Sequence, residues 1–494
     1  MGEIASALFA PLNLLMMNAG LFAGIIIGAM PGLSVTLAIS LLLPLTFGME
    51  SIPGMFLLLG AYCGGTYGGS ITAILIKTPG APPSAATVMD GYPMAKQGKA
   101  GDALKIALVG STVGGVISCF VLMFLASPVA SLALKFGPTE YFSLCVFGLA
   151  IIASISADNL SKGLTAAGIG LLIATVGIDA TDGIPRFMFG NMNLLNGFNS
   201  VIVLLGMFAV SEMLDKCYVG VKKGEEMQAV QKTTITTRNI LSYWKIILKS
   251  SIFGTVIGAI PGTGGAIAAY ASYDNAKRSS KTPEKFGTGC IEGVLAPEVG
   301  KNAVTGATLI PLLTLGIPGD SAVAVLLGAL TMQGIYPGPE LFTTQPFWVY
   351  TIMAGLLLIN IFMYTQGVFL AKFFAKVADI PFQILVPAVM VLCYFGAYSV
   401  SNSLFDVALM MGFGIFGFFF KRCGYPIAPL TIALILGSMT EQNLRRAFLL
   451  SDGSATIFFT RPISLFFLIL AVGSVVLPMI RKRKALKAQQ PQTH

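Results

Sequence analysis

The sequence predicts an all-α polytopic membrane protein with about ten to twelve transmembrane helices. These form two inverted-topology repeats whose helices are broken at Pro-Gly or make re-entrant hairpins. Only 11% of the 494 residues are charged and the mean hydropathy is +0.81, whereas soluble proteins carry about 25% charged residues. Apolar runs long enough to cross roughly 30 Å of hydrocarbon recur along the chain. Matching Pro-Gly motifs occur in both halves.

The apolar runs favour helices over β-strands. Segments 122–126 and 465–477 are apolar on every side, whereas strands of a transmembrane barrel alternate apolar and polar residues. The first residues, Met1-Gly2-Glu3, lack the basic start of a cleaved leader, so we expect the first apolar run to stay in the mature chain.

The composition also excludes several kinds of chemistry. His494 is the only histidine, so histidine ligands, bases and proton relays are excluded. The seven cysteines contain no C-x-x-C pair, so neither a metal centre nor a disulfide framework is expected, and no cofactor is expected to bind tightly. Much of the net charge of +9 lies in a basic tail after the last apolar run. This predicts contact with the membrane surface rather than with nucleic acid.

The positions of lysine and arginine predict which loops face the cytoplasm. Basic residues cluster in four segments that we assign to the cytoplasm: 96–105, 216–249, 277–285 and 481–494. The acidic loop 179–186 is assigned to the outside. Arg445, Arg446 and Arg461 fit this pattern poorly. The predicted chain therefore crosses a membrane many times, with its C-terminus in the cytoplasm.

An internal repeat divides the chain into two homologous halves. Three elements recur in the same order: GIIIGAMPG at 24–32 as GTVIGAIPG at 254–262, TPG at 78–80 as IPG at 317–319, and GYP at 91–93 as GIYP at 334–337. We therefore predict a first transmembrane repeat over 1–215, a basic cytoplasmic linker over 216–249, a second repeat over 250–480 and a basic cytoplasmic tail over 481–494.

The loops that follow the third element differ in charge between the halves. Lys96, Lys99 and Lys105 follow the first copy, whereas only Glu340 follows the second before Lys372 is reached. Equivalent loops should therefore lie on opposite faces of the membrane, which predicts an inverted-topology repeat.

The Pro-Gly motifs predict broken helices and a binding site. Proline removes a backbone donor and clashes with the preceding turn, and a freed amide in hydrocarbon costs several kcal/mol unless protein, water or ligand satisfies it. Half-helix starts near paired breaks favour the anionic groups of a substrate, and free carbonyl groups favour a cation. The Gly24-x-x-x-Gly28 and Gly254-x-x-x-Gly258 pairs, in contrast, indicate helix-packing faces.

The candidate substrate and ion site is built from the breaks and the small polar residues beside them. No catalytic or metal-ligating residue is predicted. The site residues are Gly32, Ser34, Thr72, Lys77, Thr78, Pro79, Gly80, Ser84, Gly262, Thr263, Asn302, Pro318, Gly319, Asp320 and Ser321.

The motifs resemble those of a known family, the large membrane subunit of the tripartite tricarboxylate transporters. The similar segments are GGSITAIL at 68–75, TPG at 78–80, SAAT at 84–87, DGYPMA at 90–95, GKAG at 98–101, APE at 296–298, PLLTLGIPG at 311–319 and LLGAL at 326–330. The resemblance covers nearly the whole chain.

The resemblance implies a secondary transporter of the bacterial inner membrane that takes up a carboxylate such as citrate or another di- or tricarboxylate. It implies symport with a coupling cation, sodium or proton, and two partners: a small membrane subunit and a periplasmic substrate-binding protein.

Lys77 and Lys301 depart from the family pattern, because relatives tend to carry Asn at both places. One interpretation is that both side chains reach the cytoplasmic interface. The other is that a fixed positive charge replaces a bound cation or pairs with a substrate carboxylate, with Glu298 or Asp320 neutralising it in the empty state.

Two other classes of function fit parts of the sequence. Asp274 and Asp320 resemble the paired aspartates of an intramembrane aspartyl protease, although Asp274 is close to Lys277 and Arg278. A channel would tolerate broken helices, but no filter-like run is present. The sequence favours an ATP-driven pump even less than a channel, because it contains no G-x-x-x-x-G-K-[ST] loop.

Overall fold

The computed structural model describes residues 2–155, 160–179, 182–219, 228–377 and 382–488. In these ranges the chain is helical apart from turns and one short antiparallel hairpin, β1 (Gly177–Ile178) with β2 (Pro185–Arg186). The prediction of an all-α polytopic membrane protein is confirmed. Five helical stretches of the described chain are long and apolar enough to cross a membrane: Pro11–Gly28, Pro82–Ala133, Pro346–Ala371, Gln383–Ser401 and Leu404–Arg422. Five shorter apolar helices accompany them.

The described ranges before residue 220 contain ten α-helices. They are α1 (Gly2–Leu8), α2 (Pro11–Gly28), α3 (Val35–Leu42), α4 (Ser51–Leu75), α5 (Ala85–Met94), α6 (Ala100–Ala133), α7 (Pro138–Ile155), α8 (Leu160–Ala174), α9 (Ser200–Leu204) and α10 (Ser211–Val219). A 3-10 turn, Pro82–Ser84, leads into α5, and a π-helical turn, Leu205–Val210, joins α9 to α10.

Thirteen helices follow in the rest of the described chain. They are α11 (Thr237–Leu241), α12 (Trp244–Ala259), α13 (Gly264–Ser279), α14 (Ile291–Ala307), α15 (Leu309–Leu315), α16 (Ser321–Met332), α17 (Leu341–Thr344), α18 (Pro346–Val377), α19 (Phe382–Ser401), α20 (Leu404–Arg422), α21 (Ile427–Leu450), α22 (Ile457–Thr460) and α23 (Pro462–Ala488).

Each predicted Pro-Gly motif lies between two helices, as expected. The breaks separate α2 from α3, α4 from α5, α12 from α13 and α15 from α16. Gly32 and Gly262 have φ of +72° and +84°, a region that glycine enters without the clash of a Cβ atom. Gly316 ends α15 with φ of +71°. Proline and glycine therefore stop each helix for reasons that are local to the sequence.

The predicted glycine packing faces are confirmed. A Cβ atom on Gly24 would lie 2.5 Å from the carbonyl oxygen of Ala61, so α2 approaches α4 closely. In the second half, a Cβ atom on Gly254 would lie 2.2 Å from the carbonyl oxygen of Gly300, so α12 approaches α14 in the same way. The two halves thus repeat one packing arrangement in which backbones touch through small residues.

The equivalent helices α4 and α14 run in opposite directions. The hydroxyl of Ser70, near the end of α4, donates to Glu298 in the first part of α14. The hydroxyl of Tyr62, earlier in α4, is 3.1 Å from that of Thr308, which follows α14. An antiparallel relation between equivalent helices is the geometry that an inverted repeat requires.

The segment 228–235 packs against the start of α6. The Asp102 carboxylate accepts hydrogen bonds from the backbone N–H groups of Thr234 and Ile235, at 2.6 and 3.0 Å. Lys105 donates to the carbonyl oxygen of Ile235 at 2.8 Å. The described end of the linker therefore lies beside the basic loop that contains Lys99.

The loop around Glu340 lies at the other end of the second-half helices. α14 begins after Gly289, whose Cβ position is 2.9 Å from the backbone nitrogen of Met94, near Lys99. From Ile291, α14 and α15 then extend about 33 Å, at about 1.5 Å per residue, to the point where the N–H of Gly338 donates to Leu313. Lys99 and Glu340 are thus at opposite ends of these helices.

Arg445 and Arg461, which fit the charge rule poorly, are paired with carboxylates. Arg445 is 2.6 Å from both Asp179 and Asp182, and Arg461 is 3.4 Å from Glu140. A paired arginine need not lie on the basic face of the membrane, and this pairing accounts for two of the three exceptions.

The helices do not stop at the predicted domain boundaries. α10 continues to Val219 and α12 begins at Trp244, so both extend into the stretch predicted as linker. α23 continues past residue 481 to Ala488. Residues 220–227 of the linker and 489–494 of the tail lie outside the described ranges.

Candidate functional site

The four helix breaks meet around one cavity of about 210 Å³. Its lining is contributed by the residues that follow each break, together with α4 and α14: Ser34, Val35, Thr36, Tyr62, Thr66, Pro82, Pro83, Gly264, Gly265, Ala266, Lys301, Val304, Thr305, Asp320, Ser321 and Ala322. Residues more than 280 positions apart in the sequence therefore face the same space.

Four helix starts point into this cavity. Ser34 caps α3 by accepting a hydrogen bond from Leu37, and Asp320 caps α16 by accepting one from Val323. The first residues of α13 and the turn Pro82–Ser84 before α5 complete the wall. Each helix start presents the positive end of its dipole, and the starts of α3, α13 and α16 also present N–H groups that their caps do not use, whereas Pro82 and Pro83 have no N–H. The arrangement favours an anion.

Hydroxyl groups join the two halves across the cavity. The side-chain oxygens of Thr36 and Ser321 are 3.0 Å apart. The hydroxyl of Tyr62 is 3.1 Å from that of Thr308 and donates to Asp320 at 3.4 Å. These groups both donate and accept hydrogen bonds, so they suit the oxygen atoms of a polar ligand.

Lys301 lies at the inner wall of the cavity and is fully buried. Its ammonium is 3.0 Å from Glu298, donates to Ser84 at 2.9 Å and also donates to Ser70. The side chains of Lys301 and Glu298 are both 0% exposed. The interpretation that Lys301 reaches the cytoplasmic interface is therefore wrong. The neighbouring basic loops suggested that route, but partners on α4 and just before α5 hold the amine inside.

Glu298 is the centre of a wider buried network. Besides Lys301 and Ser70, its carboxylate accepts hydrogen bonds from Thr87 and, at 2.8 Å, from Ser111. Asn302 donates to Ser111 at 2.8 Å, and its side-chain oxygen is buried without a hydrogen-bond partner. Helices α4, α5, α6 and α14 all contribute to this network.

Lys77 is placed apart from the cavity. Its side chain is exposed, its φ is +58°, and its ammonium lies 5.6 Å from the centre of the Tyr92 ring. The preceding Leu75 accepts a backbone hydrogen bond from Gln228 of the linker.

Several other predicted residues build the breaks rather than line the cavity. In the first half, Thr72 and Thr78 hydrogen-bond to nearby backbone carbonyls. After Pro79, the N–H of Gly80 donates to Gly69 at 3.1 Å, and a Cβ atom on Gly80 would lie 1.9 Å from the carbonyl oxygen of Gly28. Gly80 is therefore required for packing.

The second half holds its breaks together in a similar manner. The N–H of Gly262 donates to Gly319 at 2.7 Å, and Thr263 donates to the carbonyl oxygen of Ile260. Gly319, after Pro318, is also close to Thr308. In contrast, a Cβ atom on Gly32 would meet only the end of the Lys216 side chain, so the restriction at Gly32 comes from its positive φ.

Asp90 was absent from the predicted site, although it connects the two halves. Its buried carboxylate accepts backbone hydrogen bonds from Gly287, Gly289 and Cys290, just before α14, and one from the hydroxyl of Tyr273. Four donors on one carboxylate fix the start of α14. The sequence offered one signal, since Asp90 opens the DGYP motif.

The two aspartates of the protease hypothesis lie apart. Asp320 is next to Gly264, with 3.9 Å between Cβ positions, whereas Asp274 lies ten residues further along α13. Ten residues of helix correspond to about 15 Å. Asp274 is exposed and pairs with Arg278 at 2.8 Å. Both acids of an aspartyl protease must share one site, and these two do not.

A larger cavity, of about 320 Å³, lies beside the β-hairpin, α8 and α21. Asp179, Arg186 and Glu441 contribute to its wall, and none of the helix breaks does. Arg186 forms two hydrogen bonds to Glu441, at 2.6 and 3.0 Å, which raise the pKa of its guanidinium above the ordinary value. The smaller cavity is therefore the better candidate, because the repeated motifs meet there.

Comparison with known proteins adds three findings. The profile of the tripartite tricarboxylate transporter TctA family matches residues 14–432. A protein of Agrobacterium vitis, described as an uncharacterized 52.8 kDa protein in the TAR-I ttuC' 3' region, is 38% identical over 96% of this chain and 95% of its own length. A second, described as an uncharacterized protein in the TAR-II ttuC' 3' region of the same organism, is 39% identical over 47% of this chain and 97% of its own length. No solved structure matches significantly.

Proposed function

Since this chain belongs to the tripartite tricarboxylate transporter TctA family, we propose that it takes up a di- or tricarboxylate such as citrate, driven by an ion gradient. In this proposal it is the large membrane subunit in a bacterial inner membrane. It works with a small membrane subunit and a periplasmic protein that delivers the substrate.

The observation that carries this proposal is the meeting of four helix starts around one cavity. Carboxylate oxygens would accept hydrogen bonds from the N–H groups that the caps of α3, α13 and α16 leave unused, and all four helix starts would favour an anion through their dipoles. The hydroxyls of Thr36 and Ser321 offer further donors from the two halves. A cavity that both halves line is also what alternating access requires, since movement of one half against the other opens it to either side.

The charges around the cavity support cation-coupled transport. Two charged residues, Lys301 and Asp320, line the cavity. Glu298 neutralises Lys301, so the charge that remains on the cavity wall is that of Asp320. A free carboxylate facing the cavity would repel an anionic substrate. Binding of a sodium ion or a proton at Asp320 would remove that repulsion, so cation and anion would bind together and cross together.

Transport by reconstituted protein tests the proposal. We expect proteoliposomes with both membrane subunits to take up at least one labelled di- or tricarboxylate under a sodium or proton gradient when the binding protein is added. Ser321→Ala should raise KM about tenfold, since a hydrogen bond to a charged group contributes roughly 1.5 to 3 kcal/mol. Ser399→Ala on the exposed face of α19 is the matched control.

Two outcomes would contradict the proposal. One is the absence of carboxylate uptake under either gradient. The other is that the chain alone transports as fast without the binding protein as with it.

Site-directed labelling tests the inverted topology. We expect a cysteine at position 99 to react with an impermeant reagent only in inside-out vesicles, and a cysteine at position 340 to react in whole cells. The background should carry Ser in place of the exposed Cys217 and Cys423. Labelling of positions 99 and 340 from the same side would refute the inverted repeat.

A further inference from the structure

The ammonium of Lys301 is surrounded by oxygen atoms from both halves. Ser70 on α4 and Ser84, in the turn before α5, belong to the first half, and Glu298 on α14 belongs to the second. The hydroxyl of Ser70 also donates to Glu298 at 2.6 Å, so three of these groups form a closed cluster. An ammonium held here therefore binds together elements of the chain that are more than 200 residues apart.

The hydrogen-bonding capacity of this ammonium is fully used. A lysine ammonium has three protons to donate, and it has three oxygen partners here: Ser70, Ser84 and Glu298. No donor is left for a substrate carboxylate. The interpretation that Lys301 pairs with substrate would require one of these bonds to break inside a fully buried cluster.

The oxygen atoms around Nζ are of the kind that bind a hard monovalent cation. A carboxylate and two hydroxyl groups are oxygen ligands, which hard cations such as Na⁺ prefer. The carboxylate carries one negative charge, which one positive charge neutralises. The ammonium therefore occupies the place that a free monovalent cation would take between the same three residues.

We propose that Lys301 is a tethered cation that fills a latent monovalent-cation site formed by Ser70, Ser84 and Glu298. This inference rests on the proposed function. In the native chain the site is permanently occupied, so Glu298 takes no part in ion coupling and no free sodium ion binds there. Removal of the amine opens the site to Na⁺.

Cation binding to purified protein tests the inference without knowledge of the substrate. The melting temperature of Lys301→Ala, measured in detergent, should rise saturably by about 2 °C with NaCl at constant ionic strength in choline chloride, since a ligand that binds only the folded state stabilises it. The native protein should show no such rise. Lys77→Ala, at an exposed lysine, is the matched control and should behave as the native protein does.

A double variant identifies the site. Lys301→Ala with Glu298→Gln keeps the space but removes the carboxylate, so its melting temperature should not respond to NaCl. A saturable rise in the double variant equal to that in the single variant, or in the native protein, would overturn the proposal. The absence of any rise in folded Lys301→Ala would overturn it equally.

The proposal also remains testable if Lys301→Ala does not accumulate. Lys301→Ser, which adds a hydroxyl oxygen to the site, should then be titrated in the same way. If neither Lys301→Ala nor Lys301→Ser folds, the monovalent cations of the cell have not replaced the ammonium, and the proposal is wrong. This conclusion holds whether or not the double variant folds. Failure of carboxylate uptake by the native protein would reject the proposed function and leave this titration unaffected.

Discussion

Two groups of charged side chains differ in where they lie and in what they support. Glu298 and Lys301, the central pair, are 0% exposed, and Lys301 lines the cavity where the helix breaks meet. Arg186, Arg445 and Glu441 keep a quarter to a third of their side chains exposed, and with Asp179 they tie the β-hairpin to α21. Both groups are made of ion pairs near 3 Å, yet only the central one is shielded from water and salt.

The difference shows why distance alone says little about the importance of an ion pair. A buried pair loses its hydration, and replacing both partners by apolar residues is often neutral, whereas removing one partner leaves an uncompensated charge. Serine and threonine hydroxyls on three neighbouring elements satisfy Glu298. A buried ion pair of this kind adds little net stability, so stability alone does not explain the network. Its position beside the cavity points to a role in transport. The exposed pairs mainly hold a loop.

The largest effect is expected from breaking the central pair on one side. Glu298→Gln removes the charge that neutralises Lys301 and should lower the free energy of unfolding by about 3 to 5 kcal/mol. Denaturant unfolding of the purified protein in detergent measures this change. Lys301→Ala with Glu298→Gln should recover much of the loss. A loss under about 1 kcal/mol for Glu298→Gln alone would show that the central pair contributes no more to stability than the exposed pairs do.

The second-largest effect is expected from a change in packing rather than in charge, at the contact between Gly80 and Gly28. Gly80→Ala places a Cβ atom 1.9 Å from the carbonyl oxygen of Gly28, so α2 and the second break must move apart, at a cost of about 1 to 3 kcal/mol. Gly412→Ala in α20 is the control, because no atom lies within 4 Å of its Cβ position. Equal melting temperatures for the two variants would show that the break relaxes freely. Gly80→Val, which adds more bulk at the same place, should abolish uptake for the same packing reason.

A smaller effect is expected in the outer cluster. Arg186→Gln removes two hydrogen bonds to Glu441 that are partly exposed to water. The free energy of unfolding should fall by at most about 1 kcal/mol, and the difference from native should shrink at high salt because of screening. A loss as large as that for Glu298→Gln would show that exposure does not separate the two groups.

The smallest effect is expected for Asp274→Asn. Asp274 is 57% exposed and pairs only with Arg278, on its own helix, among the described contacts. Uptake should match that of the native chain. Abolished function with unchanged amounts of folded protein would revive the protease hypothesis, which requires this acid.

The sequence predicted the helix breaks because their causes are local. A single proline or glycine can lie within a helix, as Pro128 does in α6, but a Pro-Gly pair both removes a backbone donor and supplies a residue that tolerates positive φ. The motifs ending at Gly32, Gly80, Gly262 and Gly319 could therefore be placed without knowledge of the fold. The meeting of the four breaks was inferred from the repeat. Ser34, Asp320 and Ser321 do line the cavity.

The other residues of the site could not be predicted, because their roles depend on which side of a helix faces the cavity. Tyr62 and Thr66 line it from the middle of α4, where no motif draws attention to them. Thr72 and Asn302 carry suitable groups but are used within the helix packing. The interface interpretation of Lys301 was wrong because it rested on nearby basic loops, whereas Ser70 and Ser84 lie far away in sequence. Neutralisation of Lys301 by Glu298, three residues away, was part of the other interpretation. Long-range partners of this kind cannot be read from spacing.

The Asp90 and Asp102 carboxylates bear on whether the two halves need one continuous polypeptide. Asp90, from the first half, holds the start of α14 through three backbone N–H groups, and Asp102 holds the segment before α11 through two more. These bonds, and that between Tyr62 and Thr308, join residues before position 220 directly to residues after position 227. A gene split between the codons for Val219 and Gln228 should therefore yield two fragments that recognise each other and assemble in the membrane.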